Sequence, residues 1–141
     1  MHSSTTAIDS FTITYDTARE LLRAHWARPL PDDQMQATLL ALLPAAQAHD
    51  RCRFWLLDIR QRPLADDALR RWAREVFHPQ LMASLGGPMF VAFLVAPGQR
   101  PAVENPAMDA HLRAAATTDL YPYYFETETA ALDWLHYQQQ R

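Results

Sequence analysis

Phe54-Trp55-Leu56-Leu57-Asp58-Ile59 is a short apolar run that closes on a carboxylate, and the loop Arg60-Gln61-Arg62-Pro63 follows it. The run is too short to cross a membrane, and its aromatic and branched side chains suit a strand buried on both faces. Helix-like segments stand before and after it, as they do around the central strand of a parallel sheet.

Such a strand needs an apolar neighbour. Met89-Phe90-Val91-Ala92-Phe93-Leu94-Val95-Ala96 supplies one, set off by Gly86-Gly87-Pro88 on one side and Pro97-Gly98 on the other. Between the two strands, Leu69, Trp72, Ala73, Val76 and Phe77 repeat at helical spacing, with Asp66 or Asp67 placed to cap the helix. Pro79 is expected to end that helix, leaving Leu81-Met82-Ala83-Ser84-Leu85 as a shorter apolar turn.

Upstream, Phe11-Thr12-Ile13-Thr14-Tyr15 alternates with period two, the mark of a strand with one buried face. Asp16-Thr17 supplies a turn, and Leu21-Leu22-Arg23-Ala24-His25-Trp26 reads as the returning strand, with a helix as the alternative. Pro29 and Pro31 stop either element. Asp33 and Gln36 form a capping-box pattern ahead of a stripe of Met35, Leu39, Leu42, Leu43 and Ala46. Pro44 falls inside that stripe and predicts a kink or a break.

Downstream, Asn105-Pro106 marks a helix start carrying Met108, Leu112, Ala115 and Ala116 on its apolar side. Residues 121–125 read as a last strand, which Pro122 assigns to a sheet edge or a strand start. Thr127 caps a final helix in which Ala131, Leu132, Trp134 and Leu135 pack. The expected architecture is a single α/β sandwich over residues 11–137. It has a mostly parallel sheet of about four or five strands flanked by helices, with an antiparallel strand in the N-terminal hairpin. Residues 1–10 are expected to form a flexible tail and residues 138–141 to fray.

The totals narrow the function. A chain of 141 residues makes one domain that buries roughly 68–70% of its extended surface. A net charge of −3 gives no basic field, which argues against nucleic-acid binding. All 13 basic residues are arginine, which a GC-rich genome accounts for. The single Cys52 excludes an internal disulfide and fits a reducing compartment. Residues 1–6 lack the apolar core of a signal peptide, so the expected address is the cytoplasm.

Conventional catalytic signatures are missing. The six histidines share no short spacing with one another or with Cys52, so neither a metal nor a cofactor is expected. The four serines lack a nucleophile-elbow context, and three glycines make no phosphate loop. Cys52 reads as a residue at the edge of the core.

The ordered set of segments resembles the SpoIIAA-like branch of the STAS fold, the fold of anti-sigma-factor antagonists and transporter regulatory domains. The residues that carry the likeness are Ile13-Thr14-Tyr15-Asp16, Trp26, Leu56-Leu57-Asp58-Ile59-Arg60, Tyr124-Phe125-Glu126-Thr127 and Ala131-Leu132-Asp133-Trp134-Leu135. The resemblance implies a non-catalytic regulatory or protein-interaction module. In antagonists of that family a serine opening the helix after the central strand is phosphorylated. Here Leu64-Ala65-Asp66-Asp67-Ala68 has no hydroxyl, so Asp66 or Asp67 is either a constant charge or a plain helix cap.

Two candidate surfaces follow. Ligands of open parallel sheets bind beyond the carboxyl ends of the strands, where Asp58, Arg60 and Arg62 meet Gln99 and Arg100. That cluster suits an anionic or amphipathic, lipid-like ligand. Tyr121, Tyr123 and Tyr124 on the last strand suit a protein partner or a homodimer edge. Trp26 and His25, ahead of the two prolines, are placed to line a pocket or to pack.

Overall fold

Six strands form one sheet in the order in which the chain makes them. A computed structural model describes residues 6–8, 10–61, 67–98 and 120–140. The strands are β1 (Thr6–Ile8), β2 (Phe11–Asp16), β3 (Leu21–Trp26), β4 (Phe54–Asp58), β5 (Met89–Leu94) and β6 (Leu120–Phe125). β1, β2 and β3 pair antiparallel, and β3 through β6 run parallel. The α/β class and the mostly parallel sheet agree with the sequence reading.

The strand count is one correction. Thr6–Ile8, assigned from the sequence to a tail, pairs with β2 from Thr6 opposite Ile13 to Ile8 opposite Phe11. Three residues are too few to display a period. Only two residues separate the strands, and the second, Ser10, has φ 65°, the left-handed backbone that tight hairpins use. The C-terminus is the second correction. The last helix, α4 (Glu128–Gln139), runs two residues into the expected fray, and the Gln139 amide donates to the carbonyls of Arg19 and Glu20 at 2.9 and 3.2 Å. The β2–β3 turn thereby anchors the chain end.

One face of the sheet carries the larger core. Ile13, Leu22, Ala24, Trp26, Trp55, Leu57 and Val91 meet Met35, Leu42 and Ala46 of α1 (Asp32–Ala48) and Leu81 and Leu85 of α3 (His78–Leu85). α1 begins one residue before the expected cap, with Pro31 in the cap position and no side-chain acceptor. Asp32 and Asp33 instead fill the first turn, where the helix dipole favours negative charge. The helix continues through Pro44 without a break. Its one buried polar residue, Thr38, accepts from the Trp26 indole at 3.0 Å and donates to the Met35 carbonyl at 2.7 Å.

Pro79 does not end the helix after β4. α2 (Asp67–Trp72) passes through a π-helical turn, Ala73–Phe77, directly into α3. The His78 amide reaches back five residues to the Ala73 carbonyl. This wider turn lies where a proline at the next position would otherwise crowd the preceding backbone. α3 stops at Gly86, whose φ of 65° suits a residue without a Cβ and whose amide donates to the Met82 carbonyl.

The opposite face holds a smaller core. Leu21, Leu56, Ala92 and Leu94 pack against Ala131 and Leu135 of α4. Thr127 caps that helix as the sequence suggests, accepting from the Ala130 amide at 3.2 Å. α4 lies over β4, β5 and β6. No described helix covers β2 or the part of β3 that follows Leu21 on this face. Among the described residues, no helix is long and apolar enough to cross a membrane. The helix expected from Asn105-Pro106 lies outside the described residues.

Candidate functional site

The uncovered part of the smaller-core face is polar because of strand alternation. In β2, Phe11 and Ile13 point into the larger core and Thr12 and Thr14 point the other way. In β3, Leu22, Ala24 and Trp26 face the larger core, which sends Arg23 and His25 to the opposite face. The register sets Thr12 opposite His25, Thr14 opposite Arg23, and His25 beside Asp58 of β4. Thr12, Thr14, Arg23, His25 and Asp58 thus surround a depression of about 200 Å³ floored by Ala24 and Leu56.

Asp58 is the hub. Its side chain is 15% exposed, against 47% for His25. Oδ1 accepts from the Arg60 backbone amide at 3.1 Å and from Arg60 Nε at 3.0 Å, and Oδ2 accepts from Arg60 Nη2 at 2.8 Å. His25 Nδ1 lies 3.2 Å from Oδ2. Burial pushes the Asp58 carboxyl up, but the hydrogen bonds and charge of Arg60, with His25 adjacent, outweigh it and hold the group below its ordinary range. The hydrogen bond to Asp58 in turn pushes the Arg60 guanidinium up. An ionised Asp58 can only accept, so it orients the imidazole with Nδ1–H towards it and leaves Nε2 on the open side.

A second ion pair borders the depression. Arg23 Nη2 donates to Glu128 Oε1 at 2.8 Å, joining β3 to the first turn of α4. Both arginines of this face are therefore already matched to carboxylates.

The sequence-derived sites divide. Asp58 and Arg60 come together as expected, but as partners of each other. Arg62, Gln99, Arg100 and Asp66 lie outside the described residues. Asp67 opens α2 and pairs with Arg70 one turn on. The three tyrosines occupy two faces. Tyr121 stacks on Phe90 and Tyr123 packs on Trp134 under α4, whereas Tyr124 stacks on Phe93 on the larger-core side. Trp26 is fully buried and His25 lines the depression, so the two neighbours separate as strand alternation requires. Thr12, Thr14 and Arg23 were not singled out from the sequence. Their signal was the polar phase of the period-two alternation.

Other reactive groups are packed away. Cys52 is buried, its thiol directed to the Phe54 carbonyl at 3.4 Å, and burial pushes its pKa up. Tyr15 stacks on His49 at 4.0 Å between ring centres, and its hydroxyl is likewise pushed up by burial. No group of three or more His, Cys, Asp or Glu side chains among the described residues is arranged to hold a metal. His25 has an orienting carboxylate, but no described Ser, Thr or Cys is hydrogen-bonded to it.

Comparison of the chain with protein-family models, curated proteins and solved structures finds no match.

Proposed function

We propose that this protein is a non-catalytic, STAS-like regulatory module of the cytoplasm that docks a protein partner on the β2–β3 half of its sheet. The observation that carries this reading is the uncovered face. The depression there is about 200 Å³, below the roughly 300–1,000 Å³ that pockets use to enclose a small molecule. It is walled by side chains from three strands and α4 borders it on one side. Such a face suits contact with another surface better than enclosure of a ligand.

The docking is of the polar, reversible kind. Among the described residues, the large exposed apolar side chains Val76, Tyr123 and Tyr137 sit on three separate elements. Polar interfaces of modest area are the usual form of transient regulatory contacts. The sequence resemblance to antagonist and transporter-regulatory domains points the same way. The loop reading, in which Arg60 anchors an anionic or lipid-like ligand, has less support because Asp58 already occupies the Arg60 fork.

Native mass spectrometry after affinity capture from the host tests the proposal. A stoichiometric partner held by the native chain should be lost from Thr12→Arg/Thr14→Arg, whose fold is checked by circular dichroism. Undiminished capture by that variant refutes the proposed face.

A further inference from the structure

We infer that the depression on the β2–β3 face is a binding subsite for a phosphate-type oxyanion, with His25 and Arg23 as its charged donors. The inference goes beyond the docking reading and does not depend on it, because the site can be occupied with no partner present.

Asp58 alone would repel an anion, but three hydrogen bonds from Arg60 and the His25 contact use its lone pairs, and the Arg60 charge cancels its own. What remains turned to the depression is mostly donor. Protonated His25 offers Nε2–H, which has no partner among the described residues. Arg23 spends one nitrogen on Glu128 and keeps others. Thr12 and Thr14 add two hydroxyls.

The direction of these donors selects the class of anion. A planar carboxylate is best held by a guanidinium fork, and neither fork on this face is fully available. The remaining donors come from two adjacent strands, spaced by about 5 Å across the ladder. They are separate single donors and not one planar fork, which suits the splayed oxygens of a tetrahedral group.

Charge balance leaves the face open to an anion. The charged groups facing His25 are Asp58 of β4, Arg60 just after it and Arg23 of its own strand. Glu128 of α4 reaches the face through Arg23, and β2 contributes only hydroxyls. The pairs Asp58–Arg60 and Arg23–Glu128 sum to zero, so no net negative charge opposes an anion here.

The probe is inorganic sulfate, titrated into the chain and followed by amide and imidazole NMR. The expected result is saturable shifts at Thr12, Thr14, Arg23 and His25. His25→Gln and Arg23→Gln should each weaken binding roughly tenfold, the loss of one charge-assisted hydrogen bond. Both side chains lie at the surface, so both variants should fold, as their undisturbed spectra would verify. Competition between sulfate and a captured partner would assign the oxyanion to the partner, and simultaneous binding would assign it to a free small molecule. Shifts that stay linear in sulfate, or a binding constant unchanged from the native chain in both variants, overturn the inference.

Discussion

A single face of this sheet is treated in two ways. Over β4, β5 and β6 it presents Leu56, Ala92 and Leu94 to Ala131 and Leu135 of α4. Over β2 and β3 it presents Thr12, Thr14, Arg23 and His25 to a shallow depression. The difference lies in the strands and not in the helix. β4 and β5 are apolar at nearly every position and need a layer on each side, whereas β2, and β3 after Leu21, alternate and need only one. A sheet whose sequence changes from continuous to alternating along its width leaves half of one face open, and that half is where the functional proposal rests.

The covered half should be the costlier to disturb. Leu135→Ala removes a fully buried side chain between α4 and the sheet and should destabilise the chain by about 2–5 kcal/mol in urea unfolding. A loss below about 0.5 kcal/mol would show that α4 is not a structural layer. The inner face of the boundary strand is tested by Thr38→Val, which strips the acceptor from the buried Trp26 indole. Loss of that buried hydrogen bond should cost about 0.5–1.5 kcal/mol, read from the same unfolding curves.

The hub of the open half should show an intermediate effect that depends on pH. Asp58→Asn loses the charge that Arg60 and His25 hold, and should cost about 1–2 kcal/mol at neutral pH after discounting for the exposed arginine. The folded Asp58 carboxyl is depressed, so its stabilisation is complete above the unfolded carboxylate value of about 3.9 and is lost as pH falls through the folded value. Unfolding curves of the two chains should therefore converge in acid. A gap that stays constant would mean the ion pair contributes nothing. Thr12→Ala and Thr14→Ala should be smallest, within about 0.5 kcal/mol, because these exposed side chains have no structural partner among the described residues. A larger loss would place them in the structure and not on a free surface.

The sequence displayed the alternation of residues 11–15 and the continuous apolar runs around Leu56 and Val91, and from these the layered sheet followed. It also displayed the Thr127 cap, because cap and donor are three residues apart. It did not display the site. His25 meets Asp58 through the register of β3 against β4, which no local pattern records. Arg23 and Glu128 are 105 residues apart in the chain. Thr6–Ile8 is too short to show a period, and the π-helical turn before Pro79 depends on how the helix absorbs a proline.

Hydroxyl-radical footprinting compares the two candidate surfaces directly, since His25 on the open face and Tyr123 on β6 are both exposed and both oxidisable, at 47% and 39%. In a complex with the captured partner, oxidation of His25 should fall while that of Tyr123 stays at its free level. Protection of Tyr123 with His25 unchanged would place the contact on β6 and contradict the account.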